Sequence, residues 1–179
     1  MRLDHIAYRV RDREKAYQFF KSNLGYEKSK KVPEGFEIQF SDGSHAQCLV
    51  LEPPENLSQS DKRTFSTSQL PSIEFHMAPE IFVSDGSSNS IVSNWVETNG
   101  PGIHHIAYEV DCVETKMKEW SKSGIQFSSS DPLRCPGLVQ VFTKPHPVTG
   151  IIYELIERTT QGFCKDNVKD LMLSTKEKK

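Results

Sequence analysis

Gly102-Ile-His-His-Ile-Ala-Tyr-Glu-Val110 decides the fold, because a near copy, Leu3-Asp-His-Ile-Ala-Tyr-Arg-Val10, stands one hundred residues earlier. The matched positions are His5 with His105, Ile6 with Ile106, Ala7 with Ala107, Tyr8 with Tyr108, Val10 with Val110 and, conservatively, Leu3 with Ile103. Both copies are β-branched and aromatic runs that begin near a histidine, which is typical of a buried strand. An amphipathic segment ending at a glycine follows each copy, at Arg13–Leu24 and Val113–Ser123, and indicates a helix. The chain therefore repeats a strand–helix unit, with one histidine at the same place in each copy.

The composition excludes several classes of protein. The chain has 179 residues and a formal net charge of −2, so it gives no reason to expect binding to nucleic acid or to an anionic membrane. No apolar run approaches the roughly 20 residues of a membrane span, and the N-terminus lacks a signal-peptide pattern. The four cysteines are scattered without CxxC spacing and are expected to be reduced thiols. We expect a cytoplasmic protein whose partner is a small molecule.

The remaining pattern predicts further strands and helices in each half. The strands expected after the first helix of each half are Tyr26–Val32, Phe36–Phe40, Ala46–Leu51 and Ile73–Ala78, then Ile125–Ser130, Leu138–Phe142 and Ile151–Ile156. A loop is expected at Ser84–Ser90, a connecting helix at Ile91–Thr98 and a closing helix at Gln161–Thr175.

Each half thus contains the order β-α-β-β-β, with one further strand in the first half. We expect a first module at 1–98, with a polar insertion at 55–72 and the connecting helix, a second module at 99–160, and a C-terminal helix and tail at 161–179. A single helix cannot cover both faces of a module's sheet, so the two modules should pair around a shared concave sheet. The predicted fold is α+β, with two paired modules forming a cup in which duplicated polar residues meet.

Four residues are candidate metal ligands: His5, His105, Glu154 and His76. Glu154 lies in the apolar strand Ile151–Ile156, where an unpaired buried carboxylate is costly. Aligning Ile73–Ala78 with that strand places His76 at the repeat position of Glu154. Two histidines and a carboxylate that leave open positions suit non-heme Fe(II) or a comparable divalent ion, and a fourth ligand would leave fewer open positions.

A structural role is the alternative for each of these histidines. A lone histidine on a strand is usually a core or surface residue, but duplication of His5 and His105 favours a metal site. His104 is adjacent to His105, so strand alternation directs it to the opposite face, and we expect a packing or surface residue there.

These residues resemble the vicinal oxygen chelate (glyoxalase-like) superfamily, and the resemblance covers nearly the whole chain. It implies paired β-α-β-β-β modules that form a cup around a divalent metal, held by residues matching His5, His105 and Glu154.

The second half is similar to the catalytic C-terminal domain of 4-hydroxyphenylpyruvate dioxygenases. The segments that carry the similarity are Gly102–Ala107, Gly137–Pro145, Tyr153–Arg158 and Gln161–Asn167. The resemblance implies Fe(II) on His5, His105 and Glu154, with substrate contacts from Gln140, Phe142, Phe163 and Asn167. The sequence departs from that family in having His104 in place of a glutamine, and Ile152 and Val168 in place of phenylalanines. It also contains no counterpart of that family's separate N-terminal domain.

Methylmalonyl-CoA epimerases are the second resemblance. Gly102–Asp111 and Pro147–Glu154 are similar to that family's segments. The family uses four metal ligands, which the resemblance assigns to His5, His76, His105 and Glu154, with Co, Ni, Mn or Zn as the metal.

Both resemblances predict a metal-dependent enzyme acting on a small 2-oxo acid or a similar carbonyl compound. Our leading hypothesis is an Fe(II) dioxygenase in which Glu154 and His76 have catalytic roles. An epimerase, isomerase or lyase is the alternative, and a non-catalytic protein that binds a small ligand is a third. The sequence leaves a homodimer open.

Overall fold

The computed structural model describes residues 1–54, 78–159 and 164–174. The strands are β1 (Arg2–Arg9), β2 (Glu27–Lys28), β3 (Phe36–Gln39), β4 (His45–Glu52), β5 (Glu80–Gly86), β6 (Gly102–Glu109), β7 (Leu133–Cys135), β8 (Leu138–Phe142) and β9 (Ile152–Arg158). The helices are α1 (Arg13–Leu24), α2 (Ile91–Asn99), α3 (Val113–Lys122) and α4 (Lys165–Ser174). Within these described ranges no helix has the length and apolar character needed to span a bilayer.

The nine strands form one sheet that joins the two halves of the chain. Its order is β2-β4-β5-β1-β6-β9-β8-β7, with β3 also paired to β4. The duplicated strands β1 and β6 are antiparallel neighbours at the centre. Each is flanked on its other side by a parallel strand of its own half, β5 beside β1 and β9 beside β6. The predicted α+β fold of two paired modules is therefore confirmed.

Alternation along β1 separates a concave face from a helix-covered face. His5, Ala7 and Arg9 are buried on the concave face. The intervening residues Ile6, Tyr8 and Val10 pack in a cluster with the aromatic side chains of α1. A carboxylate at the N-terminus and a glycine at the C-terminus delimit α1: Asp12 accepts a hydrogen bond from the Lys15 amide (3.0 Å), and Gly25 adopts a left-handed φ of 73°. The helix is thus fixed on the face opposite to the candidate ligands.

Helix α4 lies over the concave face rather than outside the sheet. It packs against β7 and β8. Its residues Val168 and Met172 join a core cluster with Phe36 and Phe82 of the first half, and Leu171 packs with residues of the second half. The closing helix predicted at Gln161–Thr175 is therefore observed over Lys165–Ser174, spanning both modules.

Three predictions were wrong, in whole or in part, within the described residues. The strand expected at Tyr26–Val32 is regular only over Glu27–Lys28, because a turn follows in which the Val32 amide donates to the Ser29 carbonyl (3.2 Å). The expected strand Ile125–Ser130 is irregular, with a single bridge between Phe127 and Thr143, and the short β7 follows it instead. Its serine-rich end has low strand propensity. The loop expected at Ser84–Ser90 is also wrong in part, because β5 continues to Gly86 and pairs with both β4 and β1.

The insertion at 55–72 and residues 73–77 of the strand predicted at Ile73–Ala78 lie outside the described residues. Ala78 itself lies in a bend, and the regular strand begins at Glu80.

Candidate metal centre

The pairing of β1 with β6 brings the two repeated histidines together. Ile6 lies opposite Ile106, so His5 faces Ala107 and His105 faces Ala7 across the two strands. The two histidines are diagonal neighbours on one face of the sheet, and each has only an alanine methyl directly across from it. Diagonal neighbours across a sheet lie within reach of aromatic side chains, and the Nε2 atoms of His5 and His105 are 3.3 Å apart.

A β-bulge precedes each histidine. The register between β1 and β6 shifts between Leu3 and His5, and again between Ala7 and Tyr8, where Tyr8 pairs with Ile103. Asp4 and His104 are the residues left over at these two shifts. Bulges re-aim side chains and occur often beside functional sites. The prediction that His104 faces away from His105 was therefore wrong: His104 is buried and lines the same cavity.

Glu154 completes a group of three donors. Its Oε2 atom lies 3.3 Å from Nε2 of His5 and 3.1 Å from Nε2 of His105. At metal–ligand distances of about 2.0–2.2 Å, neighbouring donors of a tetrahedral or octahedral ion lie about 3.0–3.5 Å apart. The three donor atoms already have this spacing, so His5, His105 and Glu154 fit a divalent ion without rearrangement.

The electrostatics of the three residues favour a negatively charged Glu154. Burial alone would raise the pKa of Glu154, but His5 and His105 outweigh it and hold the pKa well below its usual range. For His105 burial dominates and lowers the pKa, so its imidazole is neutral. An ionised carboxylate and a neutral imidazole are the forms in which these groups bind a metal.

Both histidines are oriented by the residue immediately before them. The Nδ1 atom of His5 donates to Oδ2 of Asp4 (2.8 Å), which in turn accepts from Nη2 of Arg158 (2.8 Å). The Nδ1 atoms of His105 and His104 are 2.8 Å apart. Such partners fix the ring orientation and tautomer of a metal-binding histidine and leave Nε2 for the ion.

Glu154 has its own orienting chain, which reaches α4. Its Oε1 atom accepts from Nε2 of Gln140 (2.6 Å), and Oε1 of Gln140 accepts from Nδ2 of Asn167 (3.1 Å). Gln140 and Asn167, predicted as substrate contacts, are both buried. In this closed arrangement both ends of the Gln140 amide bond to protein groups.

Phe82, rather than His76, occupies the position that corresponds to Glu154. Glu154 lies beside Ala107 in the parallel pair β6–β9, and Phe82 lies beside Ala7 in the parallel pair β1–β5. The alignment that placed His76 at this position was therefore wrong, because the pairing strand starts after the insertion. His76 itself lies outside the described residues.

A cavity of about 30 Å³ adjoins the three donors. Phe142, predicted as a substrate contact, lines it and packs on His105 with ring centres 4.6 Å apart. Val168, Leu171 and Met172 of α4 form the opposite wall. Phe163, the fourth predicted substrate contact, lies outside the described residues.

Sequence reasoning missed Asp4, Arg158, Arg9 and His104 as residues of this site. The alternating pattern of a strand does not reveal a β-bulge, so the sequence did not show that Asp4 and His104 point into the site. A charged residue such as Arg9 is common in a strand, so the sequence did not show that it is buried. A signal was present for two of them, since Asp4 and His104 are the polar residues before the duplicated histidines.

Comparison with known proteins identifies the family. The profile of the glyoxalase/bleomycin resistance protein/dioxygenase superfamily matches residues 4–135. The chain belongs to this superfamily.

Individual proteins are similar to this chain at low sequence identity. Mitochondrial methylmalonyl-CoA epimerase of Homo sapiens is 24% identical over 158 residues, covering 86% of this chain and 72% of that protein. Methylmalonyl-CoA epimerase of Mycobacterium tuberculosis superposes with a TM-score of 0.59 at 19% identity, covering 88% of each chain. A 4-hydroxymandelate synthase variant of Streptomyces coelicolor has a TM-score of 0.73 at 15% identity, covering 98% of this chain and 53% of that one.

We predict that Asp4→Asn weakens metal binding about 10–100-fold, because loss of an orienting partner leaves the His5 ring free to rotate. Titration with Co²⁺ or Zn²⁺ followed by calorimetry measures this. Asp12→Asn is the matched control, since Asp12 caps α1 at the surface and asparagine caps equally well. Equal metal affinity of the Asp4 variant and the control would show that Asp4 does not support the site.

The metal-free protein should lose stability as the pH rises from about 6.5 to about 9. Burial alone would lower the pKa of His5, but Glu154 and Asp4 outweigh burial and raise it to about 9. The folded state then binds a proton that the unfolded chain, titrating near 6.5, releases, so this stability is complete below pH 6.5 and lost through pH 9.

Urea unfolding in EDTA across this pH range should reveal a loss on the order of 2–4 kcal/mol. The His5→Gln variant serves as the reference, because its stability should vary less over the same range. The same slope in both proteins would contradict the prediction.

Proposed function

We propose that this protein is an Fe(II)-dependent oxygenase of the glyoxalase superfamily that acts on a small 2-oxo acid. The observation that carries the proposal is the set of three converging donors, His5, His105 and Glu154, with apolar Phe82 at the fourth repeat position. Two histidines and one carboxylate on one side of an ion leave positions open for substrate and oxygen, which is the arrangement of non-heme Fe(II) oxygenases.

The residues around the donors have separable tasks in this proposal. When bound, Fe(II) would supply the chemistry by polarising two neighbouring oxygens of the substrate and by reacting with O₂. Asp4 keeps Nε2 of His5 directed at the ion, and Gln140 keeps Oε2 of Glu154 directed at it. Phe142 packs on His105 and presents an apolar wall to the substrate.

Closure by α4 supports the oxygenase proposal. An oxidising reaction requires exclusion of water, which a closed apolar wall provides. The cavity of about 30 Å³ holds only about two waters, at about 10–15 Å³ for each. A substrate must therefore enter while α4 is displaced, and Val168, Leu171 and Met172 then close over it.

An epimerase or lyase is a second candidate, favoured by the similarity to methylmalonyl-CoA epimerases over most of the chain. Such an enzyme needs a group that removes a proton from carbon and is not itself a metal ligand. Glu154 is the sole carboxylate among the described residues that line the cavity. Among the described lining residues that are not candidate ligands, His104 has a nitrogen that could accept a proton, so this second candidate assigns the base to His104 or to His76.

An oxygen-uptake experiment distinguishes the two candidates. Protein loaded anaerobically with Fe²⁺ is mixed with aerated solutions of small 2-oxo acids, and oxygen consumption and product are followed. We expect uptake that depends on both Fe²⁺ and substrate and that Glu154→Gln abolishes. Glu157→Gln is the matched control, because Glu157 lies on the same strand but accepts a hydrogen bond from the Val113 amide.

The opposite outcome has a defined form. The Co²⁺-loaded protein would exchange deuterium from D₂O into the substrate carbon next to the carbonyl, and the Fe²⁺-loaded protein would take up no oxygen. These two results together would contradict the oxygenase and favour the epimerase or lyase.

Loosening α4 should separate oxygen consumption from product formation. Leu171 lines the cavity and is buried, whereas Leu173 is 44% exposed on the same helix. We expect Leu171→Ala to destabilise the fold by about 2–5 kcal/mol and to lower the yield of product per O₂ consumed, because water reaches the cavity. Leu173→Ala, as the control, should behave like the native protein, and an unchanged yield in Leu171→Ala would contradict the role of α4.

A further inference from the structure

Two of the four cysteines meet where helix α4 begins. Cys135 is the last residue of β7, and Cys164 immediately precedes α4. The two thiols hydrogen-bond to each other. Both cysteines are reduced in the structure, and both are partly exposed, so a small reagent reaches them without unfolding of the chain. The metal centre and the proposed reaction give this pair no task.

The other two cysteines have different surroundings. Cys48 is buried in β4, and burial holds the pKa of its thiol well above the usual value. Cys112 is exposed, accepts a hydrogen bond from the Thr115 hydroxyl (3.3 Å) and lies 3.5 Å from a carboxylate oxygen of Glu114. The chemistry of two thiols in contact therefore belongs to Cys135 and Cys164.

The thiol pair joins the wall of the cavity to the edge of the sheet. The Val168 amide donates to the Cys164 carbonyl (2.9 Å), so Cys164 belongs to the first turn of α4. Leu133 of β7, the last strand in the sheet order, packs against the cluster that contains Leu171. Since Val168 and Leu171 form part of the cavity wall, a covalent bond between the two cysteines would attach that wall to β7.

We infer that Cys135 and Cys164 are a reversible redox pair, which a hydroperoxide oxidises to a disulfide that fixes the first turn of α4 to β7. The pair rests on the contact of the two thiols and on the packing of α4. Its effect on substrate entry rests on the proposed function, because that function requires α4 to be displaced.

The oxidation proceeds in two balanced steps, written here for hydrogen peroxide. The Cys164 sulfur attacks one peroxide oxygen, the O–O bond breaks, and Cys164 becomes a sulfenic acid as one water leaves. The Cys135 sulfur then attacks the Cys164 sulfur. The S–S bond forms, the S–O bond breaks, and the hydroxyl leaves with the Cys135 proton as a second water. The two thiols lose two electrons in total, and the peroxide gains them.

The surroundings of Cys135 suit the second of these steps. Burial, followed by the hydrogen bond with Cys164, raises the pKa of Cys135 to about 11, and the negative charge of Asp166 acts in the same direction. Cys135 is therefore a protonated thiol at neutral pH, and the thiolate is the form that attacks an oxidant fastest. Cys135 is thus the resolving cysteine, and its proton supplies the second water.

Oxidation of the full-length chain by hydrogen peroxide tests the pair. EDTA is present, so that no iron converts the peroxide to radicals. After alkylation and proteolysis, mass spectrometry should detect peptides linked through Cys135 and Cys164, and dithiothreitol should separate them. Cys112→Ser, as the matched control, should form the same link, because Cys112 lies apart from the pair. Cys164→Ser should form no link to Cys135.

Amide hydrogen exchange measures whether the disulfide fixes α4. The Val168 amide lies one turn after Cys164, and in the oxidised protein it should exchange about tenfold or more slowly, because a cross-link restricts local opening. The amides of α1, which lies on the opposite face of the sheet, should exchange equally in both forms. In Cys164→Ser, peroxide should leave the exchange of α4 unchanged.

Each outcome decides a separate part of the inference. No disulfide, or a disulfide with Cys48 or Cys112 instead, overturns the redox pair. A Cys135–Cys164 disulfide with unchanged exchange at Val168 overturns the attachment of α4. The native protein carries both measurements, so they decide the inference even if Cys164→Ser fails to fold.

The redox pair and the proposed function fail in different experiments. Neither the peptide mapping nor the hydrogen exchange requires turnover, so both retain their meaning if the protein takes up no oxygen with 2-oxo acids. If the proposed function is correct, the disulfide form should consume oxygen more slowly than the reduced form, and dithiothreitol should restore the rate. Equal rates in a protein with the disulfide would overturn the effect on substrate entry alone.

Discussion

The structure depends on the antiparallel pairing of two copies of His-Ile-Ala, centred on Ile6 and Ile106. Because the pairing is nearly symmetric, each histidine faces the alanine of the other copy, and the small alanine leaves room for the ring on the concave face. Neither module contains the candidate site alone: His5 comes from the first, and His105 and Glu154 come from the second. A one-residue slip of either strand would turn the histidine of that strand to the helix-covered face. The fold and the candidate metal centre therefore have the same determinant.

The duplicated bulges extend the symmetry to the partners of the histidines, but the two copies have diverged in charge. Asp4 is an ionised acceptor held by Arg158, which favours a strongly basic His5 ring. His104 is a neutral imidazole beside Arg9, and it gives His105 no added negative charge. Only the first copy of the repeat therefore places a negatively charged group beside its histidine.

Local patterns predicted much of this arrangement, and long-range pairing explains what they missed. The duplicated segment predicted the repeat, and the amphipathic period with its terminal glycines predicted helices α1 and α3. The duplicated histidines and a glutamate in an apolar strand predicted that His5, His105 and Glu154 converge. The position of His104 did not follow, because a bulge is a property of two paired strands and strict alternation gives the opposite face. The error over His76 has a similar origin: residues 55–77 separate β4 from β5, and only the pairing of β5 with β1 identifies Phe82 as the position equivalent to Glu154.

The chain Asn167–Gln140–Glu154 makes the geometry of the metal centre depend on the position of α4. A carboxylate only accepts hydrogen bonds, so the amide nitrogen of Gln140 must face Glu154 and its oxygen must face Asn167. Asn167 belongs to α4, so displacement of the helix would remove the bond that holds the Gln140 amide in this orientation. The amide would then be available to a substrate oxygen, which is the contact that the resemblance to 4-hydroxyphenylpyruvate dioxygenases implies. Closure of α4 would return Gln140 to Glu154, so the carboxylate is held most firmly at the stage when water is excluded.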